Sequence, residues 1–135
     1  MYIVRPIAER EKQKKICAAL SVPYIANALS YYAANLAPDR ETVTEIIGIC
    51  QFTVGDIGQI LTLSCPPAFT EDEAMIVLCR AVMYFMRRAG IKRAVMFPDA
   101  GPVEILSKTG FVLRDDLYHM DLEAFYKAPC KYNAE

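Results

Sequence analysis

Apolar and polar positions alternate from Tyr2 to Ile7, and then give way to Ala8 to Leu20, a stretch rich in helix formers with lysine and glutamate on its exposed side. This predicts a strand followed by a helix. Pro23 suits the first position of a second helix over Pro23 to Leu29. Ser30 to Ala37 reads as a strand, with a continued alanine-rich helix as the alternative. Beyond the turn signal Pro38-Asp39-Arg40-Glu41, the β-branched and aromatic residues of Thr44 to Val54 predict another strand. Gly55-Asp56 then forms a hairpin turn and Gln59 to Leu63 the returning strand, so the middle of the chain is an antiparallel meander.

From Thr70 to Ala89 the pattern is helical, with Gly90 as its stop, and Lys92 to Phe97 is an apolar strand. Strand, helix, strand implies a parallel pair joined by a right-handed crossover. After Pro98-Asp99-Ala100-Gly101, Pro102 opens a short helix to Thr109, with Gly110 as a left-handed stop. Phe111 onward and Tyr118 to Leu122 supply the last strands. With no internal repeat, the expectation is one α/β domain over residues 1–127, a mixed and mostly antiparallel sheet flanked by helices, with a loosely held tail at 128–135.

The long helix has two notable properties. Thr70-Glu71-Asp72-Glu73 fits a capping box, and the acids of its first turn and Arg87 and Arg88 of its last complement the helix dipole, each by about 0.3 to 1 kcal/mol. Between Ala74 and Met86 only Arg80 is charged, so the helix is apolar nearly all round and needs cover on two faces. The sheet covers one. The other falls to the rest of the chain by default, or to a second copy in a homodimer through the helix from Thr70 to Ala89.

Composition narrows the chemistry. At 135 residues and 54% hydrophobic content, the chain has material for one real core. Fifteen basic against sixteen acidic side chains leave a net charge of −1, which draws the protein toward neither nucleic acid nor an anionic membrane. The stretch from Ala74 to Met86 falls short of the roughly 20 residues of a membrane span, and the first residues do not read as a signal peptide. Cys17, Cys50, Cys65, Cys79 and Cys130 form an odd set without a C-x-x-C pair, which speaks for reduced thiols in the cytoplasm and against a zinc or other metal site. With His119 the single histidine, triad chemistry has only one ring to build on.

Two stretches carry a family likeness. Ile60-Leu-Thr-Leu-Ser-Cys-Pro-Pro leads into the long helix, and Glu104-Ile-Leu-Ser-Lys-Thr-Gly-Phe closes the short one. Together with the element order, they resemble the GNAT superfamily of N-acetyltransferases. The resemblance implies acetyl-coenzyme A bound between two splayed central strands. Its pantetheine would run along Leu61, Leu63, Ser64 and Cys65, and its pyrophosphate would rest on amides at the helix start, Thr70, Glu71, Asp72, Glu73 and Ala74. A helix amino terminus favours phosphate through its free N–H groups and dipole. The implied activity is acyl transfer from coenzyme A to a small-molecule amine.

The family's pyrophosphate loop carries glycines so that phosphate can approach the backbone. Here Phe69 to Ala74 align on that loop and only Ala74 keeps the pattern, with Asp72 at the first glycine. Each carboxylate about 4 Å from a phosphate charge costs roughly 1 kcal/mol in water. Leu106 stands where many members have a tyrosine that protonates the departing thiolate, which leaves Tyr118, Ser107 or water for that task. The alternative reading is a non-catalytic GNAT-like module that has lost coenzyme A binding and uses its cleft or apolar helix to hold a metabolite or a protein. Cys65 reads chiefly as a packed thiol, His119 as a structural residue, and Tyr24, Tyr31 and Tyr32 as core tyrosines, each with a site beside the cleft as the alternative.

Overall fold

In the computed structural model, which describes residues 1–66 and 72–127, the elements run β1 (Tyr2–Pro6), α1 (Arg10–Leu20), β2 (Leu29–Leu36), β3 (Val43–Thr53), β4 (Gly58–Ser64), α2 (Asp72–Arg88), β5 (Arg93–Met96), α3 (Val103–Leu106), β6 (Val112–Arg114), β7 (Leu117–Asp121) and α4 (Leu122–Lys127). The strands form one sheet in the order β1-β2-β3-β4-β5-β7-β6. Only β4 and β5 pair in parallel, as the strand-helix-strand order requires. The segment expected as a strand over Ser30 to Ala37 is one, running Leu29–Leu36 and paired with β1 on one side and β3 on the other. No helix among the described residues is long and apolar enough to cross a membrane.

Alternation along the strands sends side chains to two cores. On one face Phe52, Ile60, Leu63, Met96 and Tyr118 pack under α2. On the other, Ile16, Cys17 and Leu20 of α1 meet Tyr32, Ala34 and Ile49. The fully buried Phe52, Ile60 and Leu63 each contribute about 1.5 to 3 kcal/mol by leaving water.

The second helix expected over Pro23 to Leu29 is absent, and an irregular loop leads into β2. Its backbone partners explain this. The buried Gln51 of β3 accepts from Ile25 N–H at 3.0 Å and donates to the Pro23 carbonyl at 2.9 Å, so those groups are satisfied without a helix. The same amide accepts from Gln13 Nε2 at 2.8 Å and donates to Thr62 Oγ1 at 3.0 Å. One side chain thus ties α1, the loop, β3 and β4 together.

The second face of α2 is covered from an unexpected direction. Asp121 Oδ1 accepts from Ala124 N–H at 2.9 Å and so caps α4, a helix where the sequence pattern predicts none. Phe125 and Tyr126 of α4 lie against α2, with the Arg80 guanidinium 5.1 Å from the Phe125 ring and that of Arg87 4.9 Å from the Tyr126 ring. Arg80 Nη2 also donates to the Thr109 carbonyl at 3.2 Å, which absorbs the one charge in the apolar run. The cover expected by default from the rest of the chain thus comes in part from α4, while Val77 and Tyr84 of α2 stay exposed. The short helix is four residues long, and Thr109 and Gly110, at φ +102°, turn the chain after it. The expected tail at 128–135 lies outside the described residues.

Two outcomes follow. Gln51→Leu strips a partner from five buried or half-buried groups, Cys17 Sγ among them, and should cost about 3 kcal/mol, read as a lower urea midpoint with an unchanged slope; a loss within experimental error contradicts the role given to this amide. In the turn between β2 and β3, N–H groups of Thr42 and Glu41 and the Thr42 hydroxyl hold the Asp39 carboxyl down at about 2, below its ordinary 3.8. A depressed carboxyl stabilises the fold above its unfolded value, and that contribution fades as pH falls through the folded one. An NMR titration should place the Asp39 midpoint near 2 and show it rising in Thr42→Ala.

Candidate functional site

A register step marks the origin of the site. Gln51 faces Thr62 and Phe52 faces Ile60, so Leu61 has no partner of its own on β3. Such a bulge bends its strand and increases the local twist. On the other side of β4, pairing with β5 runs from Gly58↔Ala94 to Ile60↔Met96 and stops there. Phe97 N–H still reaches the Ile60 carbonyl at 3.2 Å, but beyond that point the two strands part.

The gap is partly filled by the segment that follows β5. Ala100 N–H returns to the Phe97 carbonyl at 3.0 Å, and the Ala100 carbonyl accepts from Leu63 N–H at 2.8 Å. Gly101 lies so close that a Cβ there would stand 1.7 Å from the Leu63 carbonyl oxygen, which only glycine tolerates. A cleft of about 480 Å³ opens beside this contact. Leu61, Thr62, Ser64 and Cys65 form one wall, the loop residues Val22, Pro23 and Ile25 another, and Asp99 to Pro102 the third.

The expected site residues divide accordingly. Leu61, Ser64 and Cys65 line the cleft. Leu63 points into the α2 core and contributes only its main chain. Asp72, at the first turn of α2, pairs with Lys108 at 2.6 Å, so a carboxylate at the helix start has a cation beside it. Glu73 is exposed and Ala74 is buried in the core. Thr70 and Glu71, and with them the capping box, lie outside the described residues.

Burial, and then the nearby Asp72 carboxylate, push the Cys65 thiol up, which leaves it protonated and a poor nucleophile at neutral pH. Leu106 is fully buried and Tyr118 nearly so. His119 is not in the cleft wall but on β7, two strands from β4. Asp99 was read only as part of a turn; it is exposed and is the one charged side chain among the described residues lining the cleft. Its signal was position, in the connection that follows the C-terminal end of a parallel strand, where α/β ligand sites concentrate.

Solved structures share this fold. An acetyltransferase of the GNAT family from Staphylococcus aureus superposes with a TM-score of 0.60 over 90% of this chain and 99% of its own, at 9% identity. A GNAT family acetyltransferase from Brucella melitensis in complex with acetyl-CoA gives 0.57 over 90% and 88%, at 17% identity. The GNAT family N-acetyltransferase from Escherichia coli in complex with CoA gives 0.60 over 90% and 81%, at 13% identity. No family sequence model and no curated protein matches the chain. The chain has the GNAT fold.

Gly101→Ala tests the contact that fills the gap. The added methyl must drive the loop from Leu63, so the variant should lose about 2 kcal/mol of stability and the Leu63 amide should exchange faster with solvent. Unchanged protection of that amide would show that the loop and strand are not in contact.

Proposed function

We propose that the chain is an acyl-coenzyme A-dependent N-acyltransferase in which an amine attacks a thioester held in the cleft beside β4. The observation that carries this reading is the parting of β4 and β5 after Ile60 and Met96, with the Leu61 bulge at the fork and the cleft beside it. A ligand arm with amide groups suits such a place, because an unpaired strand edge offers N–H and carbonyl groups and the walls from Val22, Ile25 and Leu61 are apolar. When bound, coenzyme A supplies the acyl group as an activated thioester.

The chain's own residues define the rest. To use Leu63 N–H, a ligand must displace the Ala100 carbonyl, and Gly101 permits the loop to occupy either place. Cys65 stays protonated and takes no acyl group, so transfer would be direct: the amine nitrogen would bond to the acyl carbon, the carbon–sulfur bond would break, and coenzyme A would leave as a thiolate that takes its proton from water. The Asp99 carboxylate draws an ammonium group to the cleft and accepts a proton as the amine reacts. Leu106 has no proton to give, and its position contributes packing instead. At the helix start, the Asp72–Lys108 pair offsets part of the repulsion between carboxylate and phosphate.

A second reading, a binding module without catalysis, draws on the same Ala100–Leu63 hydrogen bond, which leaves less of the β4 edge free. Titration calorimetry of the intact chain with acetyl-coenzyme A, followed by an acetylation assay over a panel of amines, separates the two. Saturable heat and transfer above the uncatalysed rate are expected. Heat without transfer assigns the binding module, and no heat at millimolar ligand rejects both uses of this cleft for coenzyme A.

A further inference from the structure

Among the described residues, the face of the sheet toward α1 is covered only over its β2 and β3 half. Beyond β4 it forms a hollow of about 530 Å³ over β5, β7 and β6. Register places its side chains. His119 stands between Val95 of β5 and Val112 of β6, and Arg114 faces Leu117. By alternation Arg93 shares the face with Val95, which puts it diagonal to His119 on the opposite side from Arg114. Diagonal neighbours lie about 7 to 8 Å apart, within the reach of an arginine side chain.

Charge in the hollow is net positive, with two arginines against the single carboxylate of Asp121 among the described residues that line it. Arg93 and Arg114 are both exposed, and neither forms an ion pair with a described residue. Asp121 faces Arg93 in the register and lines the hollow, but its carboxylate forms no ion pair with either arginine and accepts from Ala124 N–H at the start of α4. Asp115 and Asp116 belong to the adjacent turn and do not line the hollow. Two guanidinium groups over a floor of Val95, Leu117 and Ile57 suit a molecule with an apolar body and an anionic end.

The cleft and the hollow carry opposite charge on one connected segment. Asp99 follows Val95 by four residues, at most about 14 Å for an extended chain. We propose that the hollow binds the anionic end of the acyl acceptor through Arg93, Arg114 and His119, while Asp99 draws its amine into the cleft. The acceptor class is then an amine with a carboxylate or phosphate several bonds away, and polycationic amines are selected against. The assignment of this ligand as acceptor rests on the acyltransfer reading above; the binding itself does not.

The test is an NMR titration of the intact chain, without coenzyme A, using 6-aminohexanoate, an aminoalkyl phosphate of the same length, hexylamine and 1,6-diaminohexane. As the single histidine, His119 gives a unique imidazole signal. At least one anionic amine should shift it and bind about tenfold or more tightly than hexylamine or the diamine, and Arg93→Gln with Arg114→Gln should remove that advantage while leaving the melting temperature unchanged. Which of the two anions wins identifies its source. Equal binding of hexylamine, or unchanged binding by the double variant, overturns the proposal. Binding with no acetylation of the bound amine in the presence of acetyl-coenzyme A leaves the hollow intact and counts against the acyltransfer reading alone.

Discussion

The amide of Gln51 is the interaction on which the cleft depends. A glutamine buried in a β-strand is costly unless its donors and acceptor are paired, and here the partners come from α1, from the loop after it and from β4. The arrangement fixes the loop wall relative to the strand wall. Val22, Pro23 and Ile25 stand over Leu61 and Ser64 because their backbone is held by a side chain one strand away. A neutral network of this kind specifies geometry more than it adds stability, since each hydrogen bond contributes only about 1 kcal/mol net.

From that anchored wall the site follows by geometry. The bulge at Leu61 bends β4, β5 ends at Met96, and the strands part without the breaking of any further interaction. The gap is not left open, because the loop after β5 supplies a carbonyl for Leu63 N–H and a glycine small enough to lie against the strand. The fold that many acetyltransferases share is therefore present with its fork closed over by a short segment of its own chain. A ligand that uses this edge of β4 as proposed has to displace that segment.

Much of this was readable from residue patterns. Alternation and β-branched content located the strands, and a long helix between Leu63 and Lys92 required the parallel pair. What stayed hidden depends on partners distant in sequence. Gln51 sits in the otherwise apolar run Ile49-Cys-Gln-Phe, and nothing local says that it holds residues 23 and 25 out of a helix. The bulge at Leu61 is a property of pairing with β3 and leaves no local mark. Helix α4 was within reach, since Asp121 precedes Leu-Glu-Ala as an amino-terminal cap would, but its six residues are too few for a clear helical period. Asp99 looked like turn chemistry because its neighbours Pro98 and Gly101 explain a turn without it. Of the residues singled out along β4, Leu61, Ser64 and Cys65 line the cleft, whereas Leu63 turns its side chain into the core and offers only its backbone.

The central claim is that an acyl-coenzyme A arm lies along the edge of β4 where the loop from Phe97 to Gly101 now rests. The most direct measurement is the amide spectrum of the intact, isotopically labelled chain as acetyl-coenzyme A is added. The account predicts that the signals of Leu63, Ser64, Cys65, Ala100 and Gly101 move together and saturate, while those of β1 and the β2–β3 turn stay in place. Saturating shifts confined to residues away from this edge, with Leu63 and Ala100 unmoved, would contradict it.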